Sequence, residues 1–271
     1  MGHVLVTGAT GGIGAALVGA LLKAGYEVTA VGRDLDRLDA PVRRIEADLS
    51  RPATLAAALA GPARSPDGSG TAPGQAEPGA GANDPGAGAA VGETRPGRSG
   101  ARPGPGVLAA VDALIHCAGV SPIAAVAEGD PETWERTFAV NVASAAELVR
   151  LALPALRRSR GHVIFVNASP GMTGVPRWAA FVGSKAGLRE LAGSLRQEEA
   201  AHGVRVTTVY PAATATELLR EVRRSFGRPY DPAACVRPET LAEMIVWVLA
   251  APPDAYAAEL AVLPSPKATA P

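Results

Sequence analysis

Val4-Leu5-Val6-Thr7-Gly8-Ala9-Thr10-Gly11-Gly12-Ile13-Gly14, near the start of this 271-residue chain, is the segment from which its fold can be inferred. It opens as a short apolar run typical of a buried β-strand and then breaks into glycines. Residues 15–25 carry apolar side chains at helical spacing and end on a glycine suited to a helix C-cap. A strand, a glycine turn and a helix together bring backbone N–H groups and the positive end of a helix dipole to one place. This arrangement favours binding of a pyrophosphate.

Three glycines of this loop have separate structural reasons. Gly8 allows a tight turn after the strand, Gly12 lets the backbone approach the phosphates, and Gly14 lets the helix pack closely on the strand. A glycine-rich loop can also be merely flexible, but this one follows a strand and opens a helix, which is the context of a dinucleotide-binding fingerprint. The predicted site in this loop comprises Gly8, Thr10, Gly12, Ile13 and Gly14.

The spacing Thr-Gly-x-x-x-Gly-x-Gly over residues 7–14 resembles that of the short-chain dehydrogenase/reductase family. The alternation of β-type and α-type segments along the chain predicts the matching fold class, α/β, with a Rossmann-type doubly wound parallel sheet of about seven strands in three αβα layers. We expect a single domain over residues 1–271. The resemblance implies an oxidoreductase with a dinucleotide cofactor and a small-molecule substrate. It also implies a homodimer or homotetramer that pairs through two long helices, at 131–158 and 181–200.

Composition and charge argue against several other classes. The chain has 26 Lys and Arg against 26 Asp and Glu, so neither nucleic acid nor an anionic membrane surface is an expected partner. The chain enters a strand directly and no apolar run reaches about 18 residues, which predicts a cytoplasmic protein without a signal peptide or membrane span. Cys117 and Cys235 have no ligand-like spacing, so we expect free thiols and no metal site.

The end of the second predicted strand favours NADP(H) over NAD(H). In dinucleotide folds a carboxylate at this position hydrogen-bonds the adenosine ribose hydroxyls. Here the position holds Gly32, followed by Arg33, whose guanidinium can pair with a 2′-phosphate. The alternative is that Arg33 is a solvated loop residue and that Asp34 faces the ribose.

The resemblance adds further residues to the predicted cofactor site. It places Asp48 and Leu49 beside the adenine, although Asp48 can also serve as the N-cap of a short helix over 52–60. It places Ala118 and Gly119 beside the nicotinamide ribose, in a segment where the preceding His116 and Cys117 are expected only to pack. After the sixth strand, Thr214 is the candidate for contacting the nicotinamide carboxamide.

Residues 62–106 interrupt the α/β pattern. Of these 45 residues, 20 are Gly or Pro, and large apolar side chains are almost absent. Such a segment cannot bury enough surface to offset its ordering entropy, so we predict a disordered surface insertion between a helix and the next strand. A docking role for the segment is the alternative.

The active-site motif departs from the family pattern. The resemblance implies a proton-relaying asparagine, carried here by Asn141, and a catalytic lysine, carried by Lys185 in Phe181-Val182-Gly183-Ser184-Lys185. It also implies that Lys185 binds the nicotinamide ribose hydroxyls. Phe181 stands where the family has its catalytic tyrosine. Ala168 stands where the family has its serine, with Ser169 next to it. Phe181 has no proton to exchange, and general acid–base help is typically worth about 10² to 10⁴ in rate.

Three functions remain open on the sequence. The first is an NADP(H)-dependent oxidoreductase with another proton donor, such as Ser169, Ser184, a water molecule or an acidic hydroxyl of a polyketide-like or aromatic substrate. The second is a catalytically silent dinucleotide-binding protein that acts as a sensor or partner subunit. The third is a lyase, dehydratase or isomerase that uses the same cleft. Residues 217–237 mix arginines with aromatics, so they either cover an aromatic or acidic ligand or form a solvated helical lid.

Overall fold

The computed structural model describes residues 2–61, 107–169 and 171–266. Its centre is one sheet of seven strands in the order β3-β2-β1-β4-β5-β6-β7, and every neighbouring pair is parallel. This confirms the predicted fold class. The strands are β1 His3–Thr7, β2 Glu27–Gly32, β3 Arg43–Glu46, β4 Ala113–His116, β5 His162–Val166, β6 Arg205–Pro211 and β7 Glu259–Val262. The predicted insertion at 62–106 lies outside the described residues.

The helices follow the strands in the alternation that the sequence indicates. They are α1 Gly12–Lys23, α2 Leu55–Ala60, α3 Pro131–Phe138, α4 Ser144–Ser159, α5 Ala179–Glu199, α6 Glu217–Ser225 and α7 Pro238–Leu249. The start of α3 matches its sequence signals, because Pro131 occupies the first turn and the Asp130 carboxylate accepts a hydrogen bond from the Thr133 N–H at 2.7 Å. The predicted single helix over 131–158 is instead interrupted by a π-helical segment, Ala139–Ala143, between α3 and α4.

The core lies on both faces of the sheet, because successive side chains of a strand point to opposite sides. In β1, Leu5 packs in the cluster that contains the buried residues of α2, α4 and α5. Val4 and Val6 pack in the other cluster, with the buried residues of α1 and α7. The order of strand connections reverses between β1 and β4, so the crevice at the carboxyl ends of these strands is where a ligand is expected.

The segment Pro131–Ser159 is long and apolar enough to cross a membrane by length and composition alone, contrary to the expectation drawn from the sequence. Half of its most apolar window is buried inside the protein. Leu148 and Leu156 of α4 are fully buried in the same cluster as Leu114 and Phe165 of the sheet. The apolarity of this helix therefore matches its place against the sheet.

Candidate active site

A cleft of about 450 Å³ opens at the carboxyl ends of β1, β2, β3 and β4, and we call it the glycine-loop cleft. Ten of the residues predicted to bind the cofactor line it, and they come from four separate parts of the chain. These are Gly8, Thr10, Gly12, Ile13, Gly14, Arg33, Asp48, Leu49, Ala118 and Gly119. Thr214 and Lys185 line neighbouring cavities instead.

The glycine loop has the geometry of a cradle for an anion. Gly8 has φ +70°, and a Cβ on it would lie 2.7 Å from the backbone N of Ala118. A Cβ on Gly14 would overlap the Gly8 carbonyl, so the start of α1 can approach the strand only without a side chain there. Helix α1 has Gly11 at its N-cap and no acidic residue in its first turn, so no side chain caps its first N–H groups. These donors fit a pyrophosphate.

Arg33 is exposed on the rim of this cleft and has no hydrogen bond or salt bridge to another residue of the described ranges. Asp34, the alternative ribose ligand, follows it in a left-handed conformation with φ 49° and also lines the cleft. Both remain placed for the roles predicted from the sequence. Arg136 of α3 is a second cation on the cleft wall, and no local sequence signal marks it.

Asp48 holds the loop after β3 rather than capping the next helix. Its carboxylate accepts hydrogen bonds from the N–H of Ser50 at 3.0 Å and from the Ser50 hydroxyl at 2.8 Å, and these bonds lower the pKa of Asp48. The residue in the N-cap position of the following helical turn is Arg51. The N-cap prediction for Asp48 was therefore wrong, because the carboxylate turns back on its own loop.

A second cavity of about 460 Å³ lies beside the glycine-loop cleft, and we call it the aromatic cavity. Ile13, Thr216 and Leu218 line both spaces, so the two adjoin. The rings of Trp178 and Phe181 stack in its wall at a centroid distance of 4.7 Å. The other lining residues follow β5 and β6 or belong to α6. They include Ala168, Ser169, Thr214, Val222, Arg223, Phe226 and Arg228.

Lys185 projects from α5 into a small cavity of about 170 Å³ that Ser169 and Ala168 also line, and we call it the lysine cavity. Its Nζ donates a hydrogen bond to the Val166 carbonyl at 3.0 Å. Burial lowers the pKa of Lys185 to about 8. This ammonium group can therefore exchange a proton near neutral pH.

The groups around Lys185 are neutral. Burial, and secondarily the charge of Lys185, lower the pKa of His116 to about 3, and burial raises the pKa of Cys117 to about 11. His116 is fully buried, with Nδ1 3.0 Å from the Thr7 hydroxyl, which agrees with its predicted packing role. Cys117 does more than pack, because it lines the glycine-loop cleft. A thiol with this raised pKa is not a nucleophile at neutral pH.

Asn141 lies in the π-helical segment and is fully buried. Its Oδ1 accepts from the N–H of Val120 at 2.8 Å, and its Nδ2 donates to the Val120 carbonyl at 3.0 Å and to the Ser184 hydroxyl at 2.9 Å. Both amide protons are thus used within the protein. For the predicted relay role, Asn141 has only the second lone pair of Oδ1 still available. That oxygen and the Lys185 Nζ lie 3.4 and 3.6 Å from the point where a Gly119 Cβ would be.

Ser184 is ruled out as the proton donor. It is fully buried, and its hydroxyl donates its only proton to the Phe181 carbonyl at 2.7 Å. Phe181 itself is mostly buried, and its ring centroid lies 5.9 Å from the Lys185 Nζ. Ser169 is different, because it lines both the aromatic cavity and the lysine cavity, and its hydroxyl has no hydrogen bond among the described residues.

Comparison with known proteins gives two family matches. A model of the short chain dehydrogenase family matches residues 106–226, and an NAD(P)H-binding family model matches residues 8–63. The first covers Asn141 and Lys185, and the second covers the glycine loop.

Curated relatives match over part of their length. The 2,3-dihydro-2,3-dihydroxybenzoate dehydrogenase of Escherichia coli is 38% identical over 112 residues, which cover 41% of this chain and 45% of that protein. Glycine betaine reductase of Emericella nidulans is 32% identical over 163 residues, which cover 58% of this chain and 13% of that protein. An uncharacterized oxidoreductase of Staphylococcus saprophyticus is 28% identical, and the match spans 64% of its length. This chain thus matches less than two thirds of each of these relatives.

Solved structures share the fold. A serine dehydrogenase in complex with NADP+ aligns with a TM-score of 0.71 at 20% identity and covers 99% of this chain and 98% of its own. A short chain dehydrogenase from Burkholderia cenocepacia in complex with NADP aligns with a TM-score of 0.68 at 23% identity and covers 96% and 86%. At these identities the likeness concerns the fold alone. The sheet order and the glycine-loop cleft agree with the fold of these neighbours, and the short chain dehydrogenase and NAD(P)H-binding models match separate parts of this chain.

Proposed function

We propose that this protein is an NADP(H)-dependent oxidoreductase that interconverts a carbonyl and an alcohol with a proton donor other than tyrosine. The observation that carries the proposal is the adjacency of the two spaces. The glycine-loop cleft has the donors for a dinucleotide, and the apolar aromatic cavity adjoins it through Ile13, Thr216 and Leu218. A substrate in the aromatic cavity can therefore meet a cofactor held in the cleft.

The cofactor preference rests on Arg33. The Arg33 guanidinium, which has no hydrogen bond or ion pair within the described ranges, can pair at the rim of the cleft with the 2′-phosphate of NADP(H). Arg136 of α3 adds positive charge to the same cleft. Two of the solved structures that share this fold are complexes with NADP.

The proton is the part of the reaction that this chain must supply. When bound, the nicotinamide cofactor supplies or accepts the hydride. Carbonyl reduction also needs one proton on the substrate oxygen, and alcohol oxidation must remove it. Lys185 provides it in this proposal, because its lowered pKa of about 8 leaves it largely protonated at neutral pH yet able to release a proton. Water in the lysine cavity, which has room for more than one molecule, links Lys185 to Ser169.

Ser169 holds the substrate oxygen in place of the missing family serine. It borders both cavities and its hydroxyl makes no hydrogen bond to the described part of the chain, whereas Ala168 offers only a methyl group. Asn141 keeps Val120 and Ser184 in position and presents its remaining lone pair near Lys185. The position of Thr214 in the wall of the aromatic cavity supports its proposed contact with the nicotinamide carboxamide.

The first experiment is a fluorescence titration of the protein with NADPH and with NADH. Micromolar binding of NADPH that is clearly tighter than binding of NADH supports the proposal. Steady-state NADPH oxidation is then measured over a panel of aromatic and cyclic ketones and aldehydes. If Lys185→Ala leaves the observed turnover unchanged, the proposed site is wrong. If the wild-type protein binds neither dinucleotide, the whole proposal is wrong.

A silent dinucleotide-binding protein is the second candidate, and the observation that favours it is the Phe181 ring. This ring is locked by stacking on Trp178, at an interplanar angle of 18°, in the position where the family has a phenol. The double substitution Phe181→Tyr with Ala168→Ser separates the two functions. A gain of about 10²-fold or more in carbonyl reduction argues against a purely structural role. No gain with any carbonyl, together with no wild-type turnover, favours the sensor or partner function.

The predicted homodimer or homotetramer is also a proposal. Light scattering after size-exclusion chromatography measures the mass directly. A mass of one chain of 27.4 kDa contradicts it.

A further inference from the structure

The charged residues that line the aromatic cavity all have the same sign. They are Arg223 and Arg228, and no carboxylate of the described residues lines the cavity. The remaining wall is largely apolar and includes Trp178, Phe181 and Phe226. The cavity therefore combines an apolar body with a positive end.

The aromatic wall has a fixed orientation. The Trp178 indole stacks on Phe181 at 4.7 Å and meets Phe226 edge-on at 5.6 Å with an angle of 66°. Its Nε1 donates to the Ser121 hydroxyl at 2.7 Å, so the polar edge of the indole is already satisfied. Phe181 stacks on the indole, and the Arg177 guanidinium lies 5.9 Å from the centroid of the Phe226 ring. The aromatic wall is therefore a fixed apolar surface against which a flat group can pack.

The two arginines are brought together by the end of α6. The N–H of Arg228 bonds to the Arg223 carbonyl at 2.8 Å, and the N–H of Gly227 bonds to the Arg224 carbonyl at 3.0 Å. Gly227 has φ +63°, which completes a Schellman motif. This turn places two residues that are five apart in sequence next to one another, so both Arg223 and Arg228 line the same cavity.

Neither guanidinium is neutralised by the described part of the protein. Arg223 donates only a long hydrogen bond of 3.4 Å to the Pro229 carbonyl, and Arg228 has no side-chain hydrogen bond or ion pair there. Arg220, one turn earlier on α6, is instead paired with Glu217. Arg224, the next residue of α6, also has no side-chain hydrogen bond or ion pair among the described residues, but it is exposed and does not line the cavity. The place of Arg223 and Arg228 in the cavity wall is therefore what distinguishes them.

We infer that Arg223 and Arg228 select a substrate with a flat, apolar or aromatic body and one carboxylate. The carboxylate pairs with the two guanidinium groups, and the ring lies against Trp178 and Phe226. This inference deepens the proposed function, on which it rests for the reaction itself. It explains why a mixture of arginines and aromatics occurs in the segment 217–237.

The test is a binding measurement that needs no turnover. Isothermal titration calorimetry is run on the full chain with 2-naphthoate and with the neutral 2-naphthamide, in the presence and absence of NADP+. Wild type, Arg223→Ala, Arg228→Ala and the matched control Arg224→Ala are compared. Arg224 is exposed on the same helix and does not line the cavity, so its substitution removes one charge without touching the proposed site.

The expected result is that wild type binds the carboxylate about tenfold or more tighter than the amide. Arg223→Ala and Arg228→Ala each weaken the carboxylate about tenfold and leave the amide unchanged, whereas Arg224→Ala changes neither. Equal affinity for the two ligands, an equal effect of Arg224→Ala, or no binding of the carboxylate at millimolar concentration each overturns the inference. A thermal melt of each variant shows that it is folded.

The two proposals fail separately. If the carboxylate binds with the expected arginine dependence but no carbonyl is reduced, the selectivity stands and the oxidoreductase function fails. If neutral and carboxylate-bearing aldehydes are reduced with equal kcat/KM in wild type and in both arginine variants, the function stands and the selectivity fails.

Discussion

The pH dependence of carbonyl reduction tests the proposed role of Lys185 as the proton source. No carboxylate of the described residues pairs with its Nζ, whose hydrogen-bond acceptor is the Val166 carbonyl at 3.0 Å. The neighbouring His116 and Cys117 are both neutral at pH 7, with pKa values of about 3 and about 11. Burial therefore dominates and lowers the pKa of Lys185 to about 8.

The magnitude follows from this value. With a pKa of about 8, Lys185 is about 90% protonated at pH 7 and about 9% protonated at pH 9. Reduction needs the protonated form, so kcat/KM should be flat below about pH 7.5 and fall about tenfold between pH 7 and pH 9. Alcohol oxidation needs the deprotonated form and should rise over the same interval.

The assay is NADPH oxidation at a saturating cofactor concentration from pH 6.5 to 9.5, with the cofactor dissociation constant measured at each pH. The matched variant is Lys185→Arg, which keeps a positive charge that does not titrate in this pH range. Its absolute rate falls, and its profile should lose the decline near pH 8. A flat wild-type profile, or the same decline in Lys185→Arg, refutes the assignment of the proton source to Lys185.

The remaining predictions concern the cofactor and the fold. Arg33→Ala should weaken NADPH about tenfold and leave NADH unchanged in fluorescence titration, since only NADPH offers a 2′-phosphate; equal losses would show that Arg33 does not read the phosphate. Asn141→Ala should lower the free energy of unfolding in urea by about 1–3 kcal/mol, because both backbone groups of Val120 lose their partner; an unchanged midpoint would contradict this. Arg157→Ala should cost about 1–2 kcal/mol at pH 7, because it leaves the Glu199 carboxylate, 2% exposed, without its partner at 2.8 Å. The Arg157 contact lowers the pKa of Glu199, so this stabilisation is present above the ordinary pKa of a glutamate and disappears as the pH falls; a cost that is the same at about pH 3.5 would refute the ion-pair origin.

Local patterns in the sequence were enough to predict the fold. The apolar runs, the glycine punctuation and the proline at the start of α3 each act within a few residues, and the seven parallel strands follow their order. The π-helical segment Ala139–Ala143 was not predicted, because its valines and Asn141 are only weak helix formers and do not distinguish a π-helical turn from an α-helical one. The N-cap alternative for Asp48 was also wrong, since its carboxylate accepts hydrogen bonds from both the N–H and the hydroxyl of Ser50, a choice that the sequence does not fix.

Some features of the candidate site also follow from the sequence, whereas others depend on the tertiary structure. The sequence by itself determined the glycine loop, which depends on residue identity at fixed spacing. It also predicts, through the family resemblance, the departure at Phe181 and Ala168. Only the tertiary structure decided that Ser184 is buried and that its hydroxyl is hydrogen-bonded within the protein, since both depend on which face of α5 meets Asn141. Ser169 lines the lysine cavity together with Lys185, and it lines the aromatic cavity together with the two arginines. These cavities exist only once the carboxyl ends of parallel strands converge. Charge and pKa depend on such surroundings, so the proposed proton source and carboxylate preference could not be read from the chain alone.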